Sequence, residues 1–98
     1  MHTEEMISAD EFCIHYNIEK SFIYSLNKSG LLEIIIIEEK VFVPVHELSQ
    51  LEKLVRLYYE MDINLEGIET ITYLLKRMNE MQQQIMHLKN KLSKYENE

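Results

Sequence analysis

Two short segments near the start of the chain carry apolar residues at helical spacing, three and four positions apart. The first predicted helix spans about residues 9–15, and Ser8 with Glu11 forms a capping box that would begin it. The second spans about residues 19–28 and ends before Gly30, which can adopt the left-handed conformation common after helices. The residues predicted to face inward from these two helices are Phe12, Cys13, Tyr16, Phe22, Ile23 and Leu26.

The pattern then changes to a run of β-branched residues, which favours a strand over a helix. Residues 32–37 are predicted to form one strand, and Val41–Val43 the returning strand, with a turn at Glu38-Glu39-Lys40. Pro44 ends the hairpin, because proline cannot donate a hydrogen bond to the ladder. A hairpin over about residues 32–43 that follows two short helices predicts a helix-turn-helix with a β wing.

Two further helices complete the predicted architecture. The third, over about residues 45–61, is apolar around more than half of its circumference, so it must be covered on two sides. Asp62-Ile63-Asn64 separates it from a last helix predicted from about Leu65 to Tyr95. The sequence therefore predicts a mainly α protein, with a winged helix-turn-helix module over residues 1–62 and a long coiled-coil helix within 63–98.

The last helix carries a heptad repeat, in which apolar residues occupy all eight a and d positions. These positions, which we call the seam, are Ile71, Leu74, Met78, Met81, Ile85, Leu88, Leu92 and Tyr95. Such a narrow apolar stripe is typical of a coiled coil and predicts a homodimer, through either parallel or antiparallel pairing. Packing of the helix on its own module is the alternative, and it accounts for Ile68–Leu75 but not for the residues from Met78 onward.

Charge is distributed unevenly along the chain. Up to Ser49 there are nine acidic residues and three basic ones, a net charge of −6, whereas after Ser49 eight acids and seven bases give −1. Nucleic-acid binding depends on Lys and Arg that neutralise phosphates and release counterions. The order of elements in the module is that of a DNA-binding domain, but its negative charge predicts a partner that is itself basic.

The composition narrows the class of protein further. Ninety-eight residues, 46% hydrophobic and 28% charged, fit one globular module with an extension. The single cysteine, Cys13, excludes an internal disulfide, and we predict that it is a core residue. The longest apolar run, Ile34–Ile37, is too short to span a membrane, and no charged-then-apolar leader opens the chain, so we expect a cytoplasmic protein.

No group of residues in the sequence is arranged for catalysis. The four histidines are not spaced as metal ligands to one another or to Cys13; they are His2, His15, His46 and His87. The sequence has no Ser/His/Asp set, no Gly-rich phosphate loop and no secluded pair of carboxylates. We therefore predict that the protein is not an enzyme and has no catalytic residue, no metal site and no cofactor.

The order and spacing of several short motifs resemble known families. Residues Ser8–Leu32 resemble the N-terminal winged helix of MerR-type regulators. Nearly the whole chain is similar to the chaperone modulators of the CbpM family. The motifs that carry this second resemblance are Glu11–His15, Gly30–Leu32, Val41–Val43, Arg56-Leu57, Ile63–Ile68 and Lys91–Lys94.

The resemblance to the CbpM family implies a function in chaperone control. Its members are implied to bind the J-domain of a DnaJ-like co-chaperone of the CbpA type, and to inhibit it by blocking access to the chaperone. A J-domain presents a basic helix, which agrees with the acidic charge of the module. The residues that we predict to contact this partner, five acids and one aromatic anchor, are Glu19, Glu33, Glu38, Glu39, Glu47 and Tyr24.

The alternative function is that of a MerR-like, DNA-binding transcription regulator, with Lys20 and Lys28 as its basic contacts. Regulators of that type usually carry an Arg-Tyr-Tyr run on the second helix, where this chain has Tyr24-Ser25-Leu26. The wing tip is Glu38-Glu39-Lys40, although a phosphate-contacting wing needs Lys or Arg. Both departures favour the chaperone-modulator hypothesis. A third interpretation is an assembly adaptor that uses only the last helix.

Overall fold

Helices and one small sheet make up residues 5–96, the part of the chain that the computed structural model describes. A 3₁₀ turn precedes the third helix and a π-helical segment, Arg56–Glu60, continues it. The elements in chain order are β1 (Met6–Ser8), α1 (Ala9–Tyr16), α2 (Lys20–Lys28), β2 (Ile35–Ile37), β3 (Lys40–Pro44), α3 (Leu48–Val55) and α4 (Leu65–Glu96). The predicted fold class, mainly helical with a small β wing and a long last helix, is confirmed.

The chain divides into two compact units between Ile68 and Glu69. The sequence pattern predicts the division after residue 62, in the loop that precedes α4. The first turn of α4 nevertheless belongs to the first unit, because the side chain of Ile68 is fully buried in its core. The second unit is the remainder of α4.

The Ser8 hydrogen bond of the predicted capping box and the predicted glycine ending of α2 are present. The N–H of Glu11 donates to the hydroxyl of Ser8, at 3.4 Å, and so begins α1. At the end of α2, Gly30 has a φ of 78°, and the N–H of Leu31 donates to the carbonyl of Leu26 at 2.9 Å. This backward hydrogen bond defines a Schellman-type ending, which satisfies a carbonyl at the end of the helix.

The core of the first unit contains five of the six residues predicted to face inward from α1 and α2. Tyr16 is the exception: its ring stacks on Phe12, but the side chain remains partly exposed. Its hydroxyl donates to the carboxylate of Glu52 at 3.0 Å, and this hydrogen bond raises the pKa of Tyr16. The buried residues are Ala9, Phe12, Cys13, Ile18, Phe22, Ile23, Leu26, Leu32, Val41, Val43, Leu51, Leu54, Val55 and Ile68.

The sheet contains a strand that the sequence pattern does not predict. β1 pairs antiparallel with β3 in the order β1-β3-β2, with Ile7 opposite Val43. Three residues are too short a run to show an alternating pattern. The wing strand β2 also begins later than predicted, at Ile35, because Leu32 is buried and its carbonyl accepts a hydrogen bond from the Asn27 side chain at 2.9 Å.

The third predicted helix is not one continuous α-helix. After α3, the N–H of Met61 donates to the carbonyl of Arg56, five residues earlier, at 3.1 Å. This wider turn defines the π-helical segment, and Asp62 then reverses the chain with a φ of 54°. The apolar pattern predicts that this end of the helix is covered, but Tyr58 and Tyr59 are partly exposed and Met61 is exposed.

The first turn of α4 is built closely around Gly67. Its N–H donates to Oδ1 of Asn64 at 2.8 Å, as expected for an N-cap. A Cβ atom at Gly67 would lie 2.8 Å from Cγ2 of Ile63 and 3.2 Å from Oδ1 of Asn64. The Ile63 methyl group sits on a β-branched carbon and cannot move away without moving the side chain that packs on the core.

We expect Gly67→Ala to lower the free energy of unfolding by about 1–2 kcal/mol, since it disturbs both the cap and the packing of Ile63. The sign is informative, because alanine ordinarily stabilises a helix relative to glycine by about 1 kcal/mol. Urea denaturation followed by circular dichroism would measure the change. Asn64→Ala, which removes the cap alone, is the matched control, and a stabilised Gly67→Ala protein would contradict the expectation.

The second unit presents the seam as an uncovered apolar stripe. Along the helix, its exposed fractions range from 52% at Leu74 to 77% at Tyr95, while Ile71 is half-buried. Exposure on this scale over seven helical positions is unusual for a single chain, because it leaves apolar surface in water. Among residues 5–96, no helix is both long enough and apolar enough to cross a membrane.

Candidate partner-binding surface

The wing tip is a two-residue turn made of two glutamates. Ile37 pairs with Lys40, so Glu38 and Glu39 alone connect β2 to β3. Their φ angles are 50° and 66°, which is the left-handed backbone of a type I′ turn. Asn-Gly is the favoured pair in this turn, because side chains with a Cβ and no local hydrogen bond are strained there. The strained turn holds two exposed carboxylates at the tip.

Replacing the wing tip by the favoured pair, Glu38→Asn with Glu39→Gly, should stabilise the fold by about 1–2 kcal/mol. For a chain of this size, that corresponds to a melting temperature higher by roughly 4–15 °C. Thermal unfolding followed by circular dichroism would measure it. The control is Glu38→Gln with Glu39→Gln, which removes the charges but keeps the strain; equal stabilisation by both variants would assign the effect to charge repulsion instead.

Apolar side chains lie next to these acids on the wing. Ile36 is 62% exposed and Ile37 is 44% exposed, both on β2. Phosphate contacts are made by cationic and hydrogen-bonding groups, whereas protein interfaces combine an apolar centre with a polar rim. The wing therefore has the composition of a protein-binding surface.

A second acidic group lies at the base of the wing. The backbone N–H of Glu33 donates to the carboxylate of Glu47 at 2.8 Å, and Nε2 of His46 lies 3.5 Å from Oε2 of Glu33. One potential ligand atom from each of these three residues lies within 4.8 Å of the others. Sequence spacing did not predict this group, because Glu33 is brought to the other two residues by the fold. Exposed carboxylates often cluster without a metal, and Glu33, His46 and Glu47 form such an acidic patch.

The two basic residues of α2, Lys20 and Lys28, are the candidate phosphate contacts of this helix. The ammonium group of Lys20 lies 2.7 Å from a carboxylate oxygen of Asp10, and this hydrogen bond raises the pKa of Lys20. One of the two lysines predicted to contact DNA is thus paired within the chain. Lys28 lies in the last turn of α2. Tyr24, the predicted aromatic anchor, is partly exposed on the surface of the same helix.

A cleft of about 250 Å³ lies between α2, the π-helical segment and the start of α4. The rings of Phe22, Tyr58 and Tyr59 meet there, with centroids 4.5 to 5.3 Å apart. The hydroxyl of Tyr59 accepts the backbone N–H of Glu19 at 3.2 Å, which ties the π-helical segment to the start of α2. The lining residues are Glu19, Ser21, Phe22, Ser25, Tyr58, Tyr59 and Leu65.

The predicted contact residues therefore fall in several places. Glu38 and Glu39 form the wing tip, Glu33 and Glu47 form the patch at its base, and Glu19 lines the cleft. Tyr24 lies outside the cleft lining. The sequence pattern did not predict the cleft. Tyr58 and Tyr59 could have indicated it, because two adjacent aromatic residues just before a helix break do not fit the spacing of an ordinary amphipathic helix.

Cys13 is buried, and that burial is the main cause of the raised pKa of its thiol. A raised pKa disfavours the thiolate, which is the reactive form of cysteine. This agrees with the predicted core role of Cys13 and gives it no place on the surface described above.

The two-helix motif, the three-stranded sheet and the long last helix together define a winged helix-turn-helix protein with a helical extension. Residues 7–90 match the family described as "MerR HTH family regulatory protein". Because the match covers most of the chain, this protein belongs to that family. Comparison with the curated proteins gave no significant match, and neither did comparison with the solved structures.

Proposed function

We propose that this MerR-family protein is a chaperone modulator, which binds the J-domain of a DnaJ-like co-chaperone of the CbpA type and inhibits it. The observation that carries the proposal is the wing tip, where two exposed glutamates stand in a strained turn. A wing that approached the DNA backbone with these carboxylates would repel it. The resemblance of several motifs to those of the CbpM family supports the J-domain as the basic partner.

Electrostatic complementarity defines what the acidic surface would do. The carboxylates of Glu33, Glu38, Glu39 and Glu47 would attract a basic helix, raise the association rate and fix its orientation. The exposed Ile36 and Ile37 would supply apolar contact beside them. Occupying the basic helix of the J-domain would keep it from its chaperone, and this would inhibit the co-chaperone without any catalytic step.

The uncovered seam supports a second part of the proposal, a cytoplasmic homodimer formed through the last helix. Coiled-coil pairing would bury the apolar stripe from Leu74 to Tyr95. A dimer carries two wings, and two linked sites bind a multivalent partner more tightly than one site does. The pairing therefore adds to the avidity of the modulator for an assembled co-chaperone.

Titration calorimetry against the J-domain from the same host tests the proposal directly. We expect a saturable complex with one J-domain per chain and an affinity that falls as salt is raised, since opposite charges are screened. An absence of heat at tens of micromolar of both proteins would contradict it. A chaperone-stimulation assay then asks whether binding inhibits the co-chaperone.

Reversing the charge of the wing tip, with Glu38→Lys and Glu39→Lys, should lower the association rate with the J-domain by about tenfold at low salt. The salt dependence of that rate should also decrease. Stopped-flow measurements at two salt concentrations would show both effects. For a matched comparison, Glu39→Lys alone can be set against Glu80→Lys, which makes the same charge change in the second unit; if the two slow association equally, the wing is not the contact site.

The family match favours a second candidate, a DNA-binding regulator, because helix-turn-helix regulation is the description of the family. Fluorescence anisotropy with duplex DNA at low salt would distinguish the two. Tight binding with a steep salt dependence would support the regulator, since phosphate contacts release counterions. Weak or absent binding, together with J-domain binding, would support the modulator.

A further inference from the structure

We propose that the aromatic cleft between α2 and the π-helical segment binds an arginine side chain of the protein partner. The proposal rests on the proposed function to the extent that the partner is a basic protein, and it adds a defined recognition site to it. The wing supplies long-range attraction, whereas this cleft has the shape and chemistry to hold one cationic group.

Three aromatic rings form one side of the cleft. Phe22 is buried and forms its floor, with the ring of Tyr58 tilted by 34° at 4.5 Å and the ring of Tyr59 edge-on at 5.3 Å. Tyr58 and Tyr59 also meet edge to face at 5.0 Å. Faces of aromatic rings carry partial negative charge, so a cluster of rings with an open side attracts a cation.

Carboxylates add negative charge to the lining of the cleft and of its neighbour. Glu19 lines the cleft, and its Oε2 accepts a hydrogen bond from the Ser21 hydroxyl at 3.3 Å, which restrains the carboxylate. Tyr58 also lines an adjoining, more open cleft of about 270 Å³, to which Asp62 contributes. Neither lining includes a lysine or arginine among the described residues. The site is therefore suited to a cation and would exclude phosphate.

The backbone around the tyrosines is unusual, and its geometry builds the cleft. In an ordinary α-helix, consecutive side chains point about 100° apart, so adjacent tyrosines would not normally pack on one phenylalanine. In the π-helical turn at Arg56–Glu60, both tyrosines pack on Phe22. Asp62, in the left-handed conformation, ends this part of the chain shortly afterwards. Both features cost conformational energy, and such features are concentrated at functional sites.

Arginine fits this site better than lysine does. Its planar guanidinium can stack on a tyrosine ring while its N–H groups donate to a carboxylate such as Glu19. A cleft of 250 Å³ has the volume of roughly eight water molecules at about 30 Å³ each, which admits the end of one long side chain. A lysine ammonium is smaller and more strongly hydrated, so it would gain less from leaving water.

The test is a nuclear magnetic resonance titration of the full, isotope-labelled chain with N-acetyl-arginine amide. N-acetyl-citrulline amide has nearly the same shape but no charge, and it serves as the matched ligand control. We expect the arginine compound to shift the ring signals of Tyr58 and Tyr59 and the backbone amide signal of Glu19. The citrulline compound should shift them at least about fivefold less at the same concentration, as a cation–π energy near 1 kcal/mol implies.

Two variants locate the effect. Glu19→Gln keeps the shape of the cleft and should weaken arginine binding by about fivefold, whereas Tyr58→Leu removes the central ring and should weaken it at least as much. Glu80→Gln, in the second unit, should leave it unchanged. Circular dichroism of each variant shows whether the fold is retained, and Glu19→Gln suffices if Tyr58→Leu does not fold.

The outcomes separate this inference from the proposed function. Equal response to arginine and citrulline, or shifts confined to the wing, would overturn the cleft as a cation site even if the J-domain binds. Selective arginine binding at the tyrosines would support it even if the J-domain fails to bind, and would then point to a different basic protein. Response to an apolar probe, N-acetyl-leucine amide, in preference to arginine would also overturn it.

Discussion

Replacing Met81 and Ile85 by glutamate should prevent the homodimer that we propose to form through the last helix. These residues occupy consecutive d and a positions of the seam, and both are more than half exposed in the single chain. Pairing would place four carboxylates, two from each chain, in a stripe that is otherwise apolar. Burying such charges without partners costs several kcal/mol, so dimerisation should weaken by roughly a hundredfold or more.

Sedimentation equilibrium of the wild-type chain and of this variant would measure the change. Gln83→Glu combined with Asn90→Glu is the matched control, because both residues lie at f positions, opposite the seam, and the pair adds the same two charges. We expect the control to remain dimeric. A wild-type protein that stays monomeric at high concentration would contradict pairing through the seam, and a variant that stays dimeric would place the interface elsewhere.

A chain that ends at residue 62 should fail to fold, whereas one that ends at residue 72 should retain the first unit. The difference is the first turn of α4, which contributes Ile68 to the core and Leu65 to its edge. In the full chain, Ile68→Ala should lower the free energy of unfolding by about 3 kcal/mol, as expected for a buried isoleucine. A module of this size has only about 3–5 kcal/mol in total, so the loss would leave it close to unfolding.

Amide hydrogen exchange in α2 and α3 would report the stability of the first unit separately from that of the long helix. Glu69→Ala, one position further along α4, is the control, because Glu69 is exposed and truncating it removes no core contact. Protection in α2 and α3 should fall strongly for Ile68→Ala and remain for Glu69→Ala. Full protection in the chain that ends at residue 62 would show that the first unit does not need α4.

The sequence predicted most of the fold because its local signals agree with one another. The capping box at Ser8, the glycine at position 30 and the β-branched wing each define an element without help from distant residues. Strand β1, which the sequence pattern does not predict, shows that local signals alone do not define every element. Its three residues have no pattern of their own and become a strand only because β3 offers an edge to pair with.

The candidate site was less predictable than the fold. Glu38 and Glu39 could be placed at the wing tip because the strands on either side determine the turn. The cleft, by contrast, depends on a π-helical turn, and the periodicity of residues 45–61 indicates only an apolar helix. Likewise, the hydrogen bond from the Glu33 N–H to the Glu47 carboxylate joins residues on either side of the whole hairpin. The spacing of these residues along the chain therefore does not predict that they meet.

The arrangement of the sheet has a consequence for how the protein behaves when concentrated. β2 lies at one edge of the described sheet, and it consists of three isoleucines, Ile35–Ile37, that follow directly after Ile34. Such an edge is a template for fibril growth, and flanking charges act as gatekeepers by keeping neighbouring copies apart. We therefore expect Glu38 and Glu39 to protect against aggregation, and the more heat-stable Asn-Gly wing to precipitate sooner during storage.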